Sequence, residues 1–246
     1  MSDQSWRIER FNSILDLDAS GTFITREALD VDFGSQRQPG ITRDIVVIRS
    51  VDAGHARQFP ISLLAVNDAI GQPLHVESSA SATLQRYQVG DPRAAVTGKQ
   101  TYRLAYQIRR ALTGATNYDE LQWSVSGTWP VPIGSSAIVV RPPAAAGVLN
   151  ATCTQGAPSA SKDACRVSFT DKAATFTSTR PLAPGEELIV DVRFAKGTFP
   201  EPQPLIIARA QTGGGGPSRL TLATEAAILA IVFVVAAAWW RTRRAR

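Results

Sequence analysis

Two adjacent carboxylates are the side chains of this sequence that could most readily perform chemistry. Asp119 and Glu120 stand together just before Gln122 and Trp123. Paired carboxylates can share acid–base work or bind Ca²⁺. Successive side chains of a strand point to opposite faces, however, so these two would not readily converge on one substrate. We therefore expect turn and strand-edge polarity here, with an envelope hydrolase or carbohydrate-active domain as the alternative.

The histidines and the glycine run give little support for catalysis. His55 lies in the loop sequence DAGHAR and His75 in a short strand, and neither has a Ser or Cys partner in a recognisable nucleophile motif. The run Gly213–Gly216 follows no strand–helix phosphate pattern and indicates a linker. The sequence thus predicts no catalytic, metal-binding or cofactor-binding residues, and we expect a protein that is not an enzyme.

The two cysteines, Cys153 and Cys165, are separated by a short segment rich in Ala and Ser. Their spacing excludes a CxxC redox pair, and a zinc site would need further ligands where the only histidines are His55 and His75. An oxidising compartment would allow the thiols to pair, and closing this loop would stabilise the fold by ~3 kcal/mol. We predict a structural disulfide, with free buried thiols as the alternative.

Alternation of apolar and polar residues indicates β-strands throughout residues 11–210. The segment SILDLDASGTFITREALDVDF predicts a hairpin that turns at Ala19-Ser20-Gly21. The clearest strand falls in 97–112, and the segment 120–129 repeats its pattern. The side chains expected on the inner faces of these two segments are Tyr102, Leu104, Tyr106, Ile108, Leu121, Trp123 and Val125. Turn signals recur every ~8–12 residues, which predicts an all-β, immunoglobulin-like antiparallel sandwich.

Four aromatic residues of these segments have two interpretations. They are Tyr102, Tyr106, Trp123 and Trp129. A cluster of aromatic side chains could form a binding face, but the core of a sandwich uses the same residue types at the same spacing. We expect a position in the core.

Composition divides the chain into segments. We predict a β-sandwich domain over residues 6–141, which ends at Pro142-Pro143. Further strands over 142–198 either form a second small β-subdomain or complete the first. Residues 199–219 are rich in Pro and Gly and predict a spacer, extended at its start and flexible at its glycine run.

The C-terminal part predicts a membrane anchor. Leu220–Trp240 is long enough, at 1.5 Å per residue, to cross a hydrocarbon core of about 30 Å. Glu225 would lie at the outer interface, where a carboxylate can reach headgroups, or would contact a partner membrane helix. Trp239 and Trp240 would lie at the inner interface. A cleavable sorting tail is the alternative.

Basic residues after the predicted helix fix its orientation. The tail 241–246 contains Arg241, Arg243, Arg244 and Arg246. Such clusters mark the cytoplasmic side, so we predict a single-pass protein of the cell membrane with an extracytoplasmic domain and a cytoplasmic C-terminus. Removing these four charges from the formal net charge of +5 leaves +1 for the rest of the chain, which gives no reason to expect nucleic-acid binding.

The first residues, MSDQSWRIERFNS, contain no apolar run and do not read as a signal peptide. An extracytoplasmic domain needs an export signal, unless the tail helix itself directs insertion. We expect that the numbering starts near a mature or re-engineered N-terminus.

Several segments together resemble the bacterial membrane-protein family called domain of unknown function 2207. They are WRIERFNSILDLDASGTFITREALDVDF, GITRDI, TGKQTYRLAYQI, DELQWSVSGTWPVPI and LAPGEELIVDVRFAKGTF. The resemblance covers about residues 6–200, and its most specific block is DELxW…G…W…PI. It implies an extracytoplasmic β-rich domain followed by membrane helices. It implies no activity, so it assigns no catalytic residues.

These observations favour a non-enzymatic binding or assembly module of the bacterial cell envelope. A near-neutral sandwich without a catalytic set, held on a membrane helix, suits a protein or glycan ligand. An accessory subunit that packs against partner membrane helices in a larger complex is a further alternative.

Overall fold

The computed structural model describes residues 6–144, 146–158, 163–200 and 202–209. This part of the chain is all-β, as the alternation of apolar and polar residues predicts, and its strands form four sheets. We number the strands in chain order from β1 to β18.

The largest sheet has seven strands. In spatial order they are β15 (Arg166–Thr170), β16 (Ala173–Thr177), β12 (Ile133–Arg141), β1 (Arg7–Leu17), β2 (Phe23–Asp32), β9 (Lys99–Ile108) and β6 (Ile61–Asn67). Neighbouring strands are antiparallel except β1 and β12, which are parallel.

The second sheet has five strands and two smaller sheets have three each. The five are β10 (Leu112–Gly114), β11 (Tyr118–Ser124), β17 (Glu187–Ala195), β13 (Val148–Gly156) and β14 (Asp163–Ala164). One small sheet contains β18 (Leu205–Ala208), β5 (His55–Gln58) and β4 (Ile48–Ser50). The other contains β3 (Ile41–Val46), β8 (Leu84–Val89) and β7 (Val76–Ala80).

A single hydrophobic cluster lies between the inner faces of the two large sheets. The alternation in β9 buries the four predicted side chains, and β11 buries Leu121 and Trp123. The indole of Trp123 meets Phe23 of β2 and Phe59 edge-on, with ring centroids 5.4 and 5.3 Å apart. Edge-to-face pairs add about 0.5–1.5 kcal/mol to the burial of the rings, so Trp123 holds the second sheet against the first.

The predicted first hairpin is confirmed, and its turn residues explain it. Asp18 Oδ1 accepts hydrogen bonds from the backbone N–H groups of Ser20 and Thr22, at 2.8 and 3.2 Å. Gly21 has a φ of 77°, a left-handed conformation that glycine adopts without steric cost. The turn therefore ends β1 and starts β2 in the register that buries Leu17 and Phe23.

Both large sheets contain strands from before and from after Pro142. In the first sheet β12 lies between β16 and β1, and in the second β11 pairs with β17. The strands of residues 142–198 thus contribute to the same two sheets as those of residues 6–141.

Some residues of the predicted spacer 199–219 are described, and they contact the β-domain. Phe199 is buried and packs on Phe194 at a centroid distance of 5.3 Å. β18 pairs with β5, and the Arg209 N–H donates to the carbonyl of Gly54 at 2.9 Å. β18 therefore lies at an edge of a small sheet of the domain, and the spacer stays a prediction.

The predicted membrane helix lies outside the described residues. The same holds for Glu225, Trp239, Trp240 and the arginine tail 241–246. Within the described ranges, no helix is long and apolar enough to cross a membrane.

Candidate functional site

An ion pair between Arg43 of β3 and Glu27 of β2 lies inside the core, where the side chains are 1% and 0% exposed. Arg43 Nε donates to Glu27 Oε2 at 2.9 Å, and Nη2 donates to Oε1 at 2.6 Å. The hydroxyl of Tyr106 in β9 donates to the same Oε1 at 2.5 Å. Both carboxylate oxygens therefore have partners, as a buried charge requires.

The remaining donors of Arg43 bind the connection between β11 and β12. Nη2 donates to the carbonyl of Val125 and Nη1 to that of Ser126, both at 2.7 Å. The indole N–H of Trp129 donates to the same Ser126 carbonyl at 2.9 Å. We call Glu27, Arg43, Tyr106 and these two carbonyls the buried polar junction, because they join three strands to one connection.

Gly127 is required next to the junction. Its φ is 62°, and a Cβ at this position would lie 2.5 Å from Arg43 Nη1. A side chain here would strain the backbone and displace the guanidinium. The sequence SVSGTW therefore places a glycine where the connection passes closest to Arg43.

Electrostatics keep the junction in one protonation state. Burial alone would lower the pKa of Arg43, but Glu27 and Tyr106 together outweigh this effect and raise it. Burial and the adjacent Glu27 raise the pKa of Tyr106 well above its usual value. The guanidinium stays charged and the phenol stays neutral, so the junction acts as a rigid structural unit.

A cleft of about 600 Å³ opens beside the junction, and we call it the indole cleft. Its apolar walls are Trp6, Pro39, Trp129 and Pro130, and its polar lining is Gln38, Thr42, Asp44, Arg86 and Thr128. In β3 the side chains alternate, so Arg43 points into the core while Thr42 and Asp44 line the cleft. Strand β3 therefore supplies Arg43 to the buried polar junction and Thr42 and Asp44 to the lining of the cleft.

The two charged side chains in the described lining of the indole cleft are paired with each other. The guanidinium of Arg86 donates to both Asp44 oxygens at 2.7 Å. These bonds raise the pKa of Arg86 above its usual value. Trp6 packs on Phe33 with ring centroids 5.3 Å apart. Among the described residues, the lining contains no Ser, Cys, His or Lys. This arrangement can bind a ligand through apolar contacts and hydrogen bonds.

The predicted carboxylate pair does not converge. Asp119 is fully buried, and its Oδ1 lies 3.0 Å from Lys196 Nζ. Glu120 points the other way, and its Oε1 lies 2.9 Å from Arg193 Nε. The alternation along β11 separates the two carboxylates, as strand geometry requires.

The side chains of the two histidines, His55 and His75, are both exposed. His55 begins β5 instead of lying in a loop, and His75 precedes β7 instead of lying in a strand. His55 Nδ1 contacts both oxygens of Asp52, at 3.0 and 3.1 Å. His75 Nε2 lies 3.4 Å from Glu77. Among the described residues, no group of three or more His, Cys, Asp and Glu could hold a metal ion.

The remaining predicted residues take structural positions. Tyr102, Tyr106, Trp123 and Trp129 are all buried, so they belong to the core. Cys153 and Cys165 form a disulfide with a Cα–Cα distance of 5.5 Å. The bond joins β13 to the segment that leads into β15, where the chain passes from the second large sheet to the first.

Sequence reasoning missed Glu27 and Arg43, although a signal was present. Glu27 occupies an inward position of β2 between Thr25 and Leu29, and Arg43 lies between Ile41 and Ile45 in β3. When one strand has an acidic residue at an inward position and another strand has a basic one, the two are expected to form a buried ion pair. An unpaired charge in the core would be too costly.

Comparisons with known proteins identify one family. The model described as "Predicted membrane protein (DUF2207) N-terminal domain" matches residues 7–194. No curated protein matches the chain in sequence.

Two solved structures are similar to part of this chain. The chain is similar to an M1 zinc metallopeptidase from Deinococcus radiodurans, with 15% identity and a TM-score of 0.40, over 76% of this chain and 42% of that one. It is also similar to native leukotriene A4 hydrolase from Saccharomyces cerevisiae, with 7% identity and a TM-score of 0.48, over 78% of this chain and 30% of that one. The chain thus matches less than half of each enzyme, and at these scores the likeness carries no argument about activity.

Proposed function

The chain belongs to the DUF2207 family of predicted membrane proteins, and on this premise we propose that it is a membrane-anchored binding module of the bacterial cell envelope. In this proposal the β-domain lies on the extracytoplasmic side. The single helix Leu220–Trp240 anchors it, and the arginine tail lies in the cytoplasm. The charge pattern of the tail supports this orientation.

The indole cleft is the observation that carries the binding role. It is the place where aromatic and proline surfaces meet polar groups on the surface of the described domain. Such surfaces match the apolar faces of sugars and the side chains of extended polypeptides. A protein or glycan of the envelope is therefore the ligand class that we propose.

Preorganisation supports the same role. The buried polar junction fixes β3 and the β11–β12 connection, and both of these elements line the cleft. A wall that is ordered before binding does not lose conformational entropy when the ligand arrives. The junction would thus raise affinity without touching the ligand.

An enzymatic role has less support. In the described lining of the indole cleft the one carboxylate, Asp44, is held by the guanidinium of Arg86, and no Ser, Cys or His accompanies it. Asp119 and Glu120, the residues of the alternative hydrolase hypothesis, lie on opposite faces of β11. We therefore favour binding over catalysis.

The finer fold assignment is also part of the proposal. Two large sheets that close over one core support an immunoglobulin-like sandwich. The parallel pair of β1 and β12 is an extra feature of this chain.

Site-specific photocrosslinking in native membranes tests the binding role. A photoreactive amino acid at Thr42, an exposed position in the cleft, should give a discrete adduct in the full chain. The additional change Trp6→Ala should reduce the adduct, because it removes an apolar wall. Digestion of the adduct with a protease or a glycan hydrolase then distinguishes a protein ligand from a glycan.

The matched control is the same photoreactive residue at Ser168, an exposed position of β15 outside the cleft. Equal adducts from both positions, or an adduct at Thr42 that Trp6→Ala does not change, would contradict a ligand in the indole cleft.

Protease treatment of intact spheroplasts tests the orientation. External trypsin should cut the β-domain and leave an epitope tag fused after Arg246 protected. A protected domain with an exposed tag would reverse the proposed topology.

A further inference from the structure

One strand of the indole cleft is also the edge of a sheet. In the sheet β3-β8-β7, β3 is an outer strand, and among the described strands it pairs with β8 alone. Thr42 and Asp44 of this strand line the cleft. An edge strand presents N–H and C=O groups that can pair with a further extended chain. The cleft therefore combines apolar walls with a strand edge.

The bonds at the end of β3 show which of its backbone groups point away from β8. Residues of an antiparallel strand alternate between those that bond to the partner strand and those that point to the other side. The N–H of Val47 donates to the carbonyl of Thr83, just before β8, at 2.9 Å. By this alternation Ile45 and Arg43 also bond to β8. The N–H and C=O groups of Thr42 and Asp44 consequently point away from it.

The buried polar junction closes this edge at Asp44. Arg43 Nη1 donates to the carbonyl of Asp44 at 3.2 Å and also to that of Ser126. The same Asp44 carbonyl lies 3.3 Å from the position that a Cβ of Gly127 would occupy. Both contacts agree with a carbonyl that points away from β8. A chain that pairs with β3 must therefore do so before Asp44, at Thr42.

Thr42 presents a donor and an acceptor on the open part of the edge. The residue is exposed, and among the described residues its N–H and C=O make no backbone hydrogen bond outside the pairing of β3 with β8. The alternation directs both groups to the same side. One residue of an antiparallel strand matches such a pair, because it donates one N–H and accepts at one C=O.

We propose that the ligand of the indole cleft is an extended polypeptide segment that adds a short strand to β3 and bonds to the N–H and C=O of Thr42. This inference rests on the proposed binding role of the cleft and narrows its ligand class to a protein. In strand addition, main-chain bonds supply affinity and pockets for side chains supply specificity.

The lining indicates the chemistry of the bound segment. Trp6, Pro39 and Pro130 provide apolar walls for its side chains. Asp44 and Arg86 already neutralise each other, so a charged side chain that entered the cleft would lose water without gaining a partner there. The segment is therefore apolar where it enters the cleft.

A peptide probe tests the added strand. Random peptides displayed on phage would be selected on the full chain in a neutral detergent, and the tightest one synthesised and titrated by fluorescence anisotropy. Thr42→Pro removes an N–H that points away from β8, a change that an edge strand tolerates. We expect it to weaken binding about tenfold or more, through the lost hydrogen bond and the bulk of the ring. Thr42→Val keeps the N–H and should bind with nearly the original affinity.

Ser78→Pro is the matched control at the opposite edge of the same sheet. The N–H of Ser81 donates to the carbonyl of Leu84 at 2.9 Å, so by the same alternation the N–H of Ser78 in β7 points away from β8. Ser78 is exposed and lies outside the described lining of the cleft. Loss of affinity in Thr42→Pro with the original affinity in Ser78→Pro supports strand addition at β3, and equal loss in both overturns it.

Single N-methyl groups along the peptide give a measurement that needs no variant of the chain. They should abolish binding at the residue that bonds to Thr42 and be tolerated at its two neighbours, whose N–H groups point away from β3. A peptide that tolerates an N-methyl group at every position overturns the added strand.

Trp6→Ala separates this inference from the proposed function. Weaker binding in Trp6→Ala with unchanged binding in Thr42→Pro keeps a ligand in the indole cleft but overturns the added strand. Binding that neither change weakens, or a selection that yields no peptide, also overturns the added strand, while the photocrosslinking result still decides whether the cleft holds a ligand.

Discussion

Two buried carboxylates of this domain are paired with cations in different ways. Glu27 meets Arg43 through two hydrogen bonds, and both side chains are buried. Asp119 is equally buried, but its partner Lys196 is 39% exposed and contacts only Oδ1. Asp119 Oδ2 has no hydrogen-bond partner among the described residues. Both carboxylate oxygens of Glu27 therefore have hydrogen-bond donors, whereas one oxygen of Asp119 does not. We call Glu27–Arg43 the saturated pair and Asp119–Lys196 the unsaturated pair.

The difference follows from the shapes of the two cations. A guanidinium has five N–H donors in a plane, so Arg43 can bind a carboxylate and two carbonyls together. An ammonium is a compact charge on a flexible stem, and Lys196 keeps it near the solvent. A buried pair contributes specificity only when every polar group around it is bonded. We therefore expect that breaking the Glu27–Arg43 pair lowers the free energy of unfolding more than breaking the Asp119–Lys196 pair does.

The largest effect should come from breaking the saturated pair. Arg43→Met leaves the charged carboxylate of Glu27 in the core with only the hydroxyl of Tyr106 as a donor among the described residues, and it removes the guanidinium donor to the carbonyl of Val125. Removing one partner of a buried ion pair lowers the free energy of unfolding by about 3–5 kcal/mol. Urea unfolding of the full chain, followed by tryptophan fluorescence, measures this loss.

The double variant Glu27→Met with Arg43→Met is the control for this prediction. Apolar side chains of similar length remove the uncompensated charge, so part of the lost stability should return. The carbonyl of Val125 still lacks its guanidinium donor and the hydroxyl of Tyr106 loses its acceptor, which keeps the double variant below the original chain by about 1–3 kcal/mol. A double variant as unstable as Arg43→Met would contradict a penalty that arises from the unpaired charge.

The same contrast shows which features of the structure can be predicted from the sequence and which cannot. Alternation predicts the strands and their inner faces, because a period of two depends only on neighbouring residues, as in β9 with Tyr102 and Leu104. The junction joins Glu27 to Arg43 and Arg43 to Ser126, which are far apart in the chain. Its long-range pairing depends on sheet order, and no local pattern contains that order. The left-handed backbone conformation of Arg110 and the pairing of β18 with β5 depend on it in the same way.

A smaller effect should follow from removing the cation of the unsaturated pair. Lys196→Met leaves Asp119 buried without a partner at Oδ1. Because water already screens the ammonium, the loss should be about 1–2 kcal/mol, below that of Arg43→Met. Asp119→Asn, which removes the charge and nearly keeps the shape, should restore stability in the Lys196→Met background. If Lys196→Met lowered the free energy of unfolding as much as Arg43→Met does, the solvent exposure of the cation would not explain why the two pairs differ in their contribution to stability.

The smallest effect at neutral pH should come from Tyr106→Phe, which removes one donor of the saturated pair while the guanidinium remains. The loss should be about 1 kcal/mol at pH 7. Alkaline pH gives a sharper measurement. Burial raises the pKa of Tyr87 and of Tyr102 to about 12, and burial with Glu27 raises the pKa of Tyr106 well above its usual value.

Below pH ~10 these three phenols keep their protons in both the folded and the unfolded chain, so they add no pH dependence. Above that pH the unfolded chain loses these protons and the folded chain keeps them, so stability falls as pH rises, by about 1.4 kcal/mol per pH unit for each phenol. Tyr106→Phe should therefore remove about one third of the tyrosine contribution to this slope. An unchanged slope would mean that Tyr106 ionises as readily in the folded chain as in the unfolded one. The hydroxyl would then not be held by Glu27, and the saturated pair would have one donor fewer than its geometry gives it.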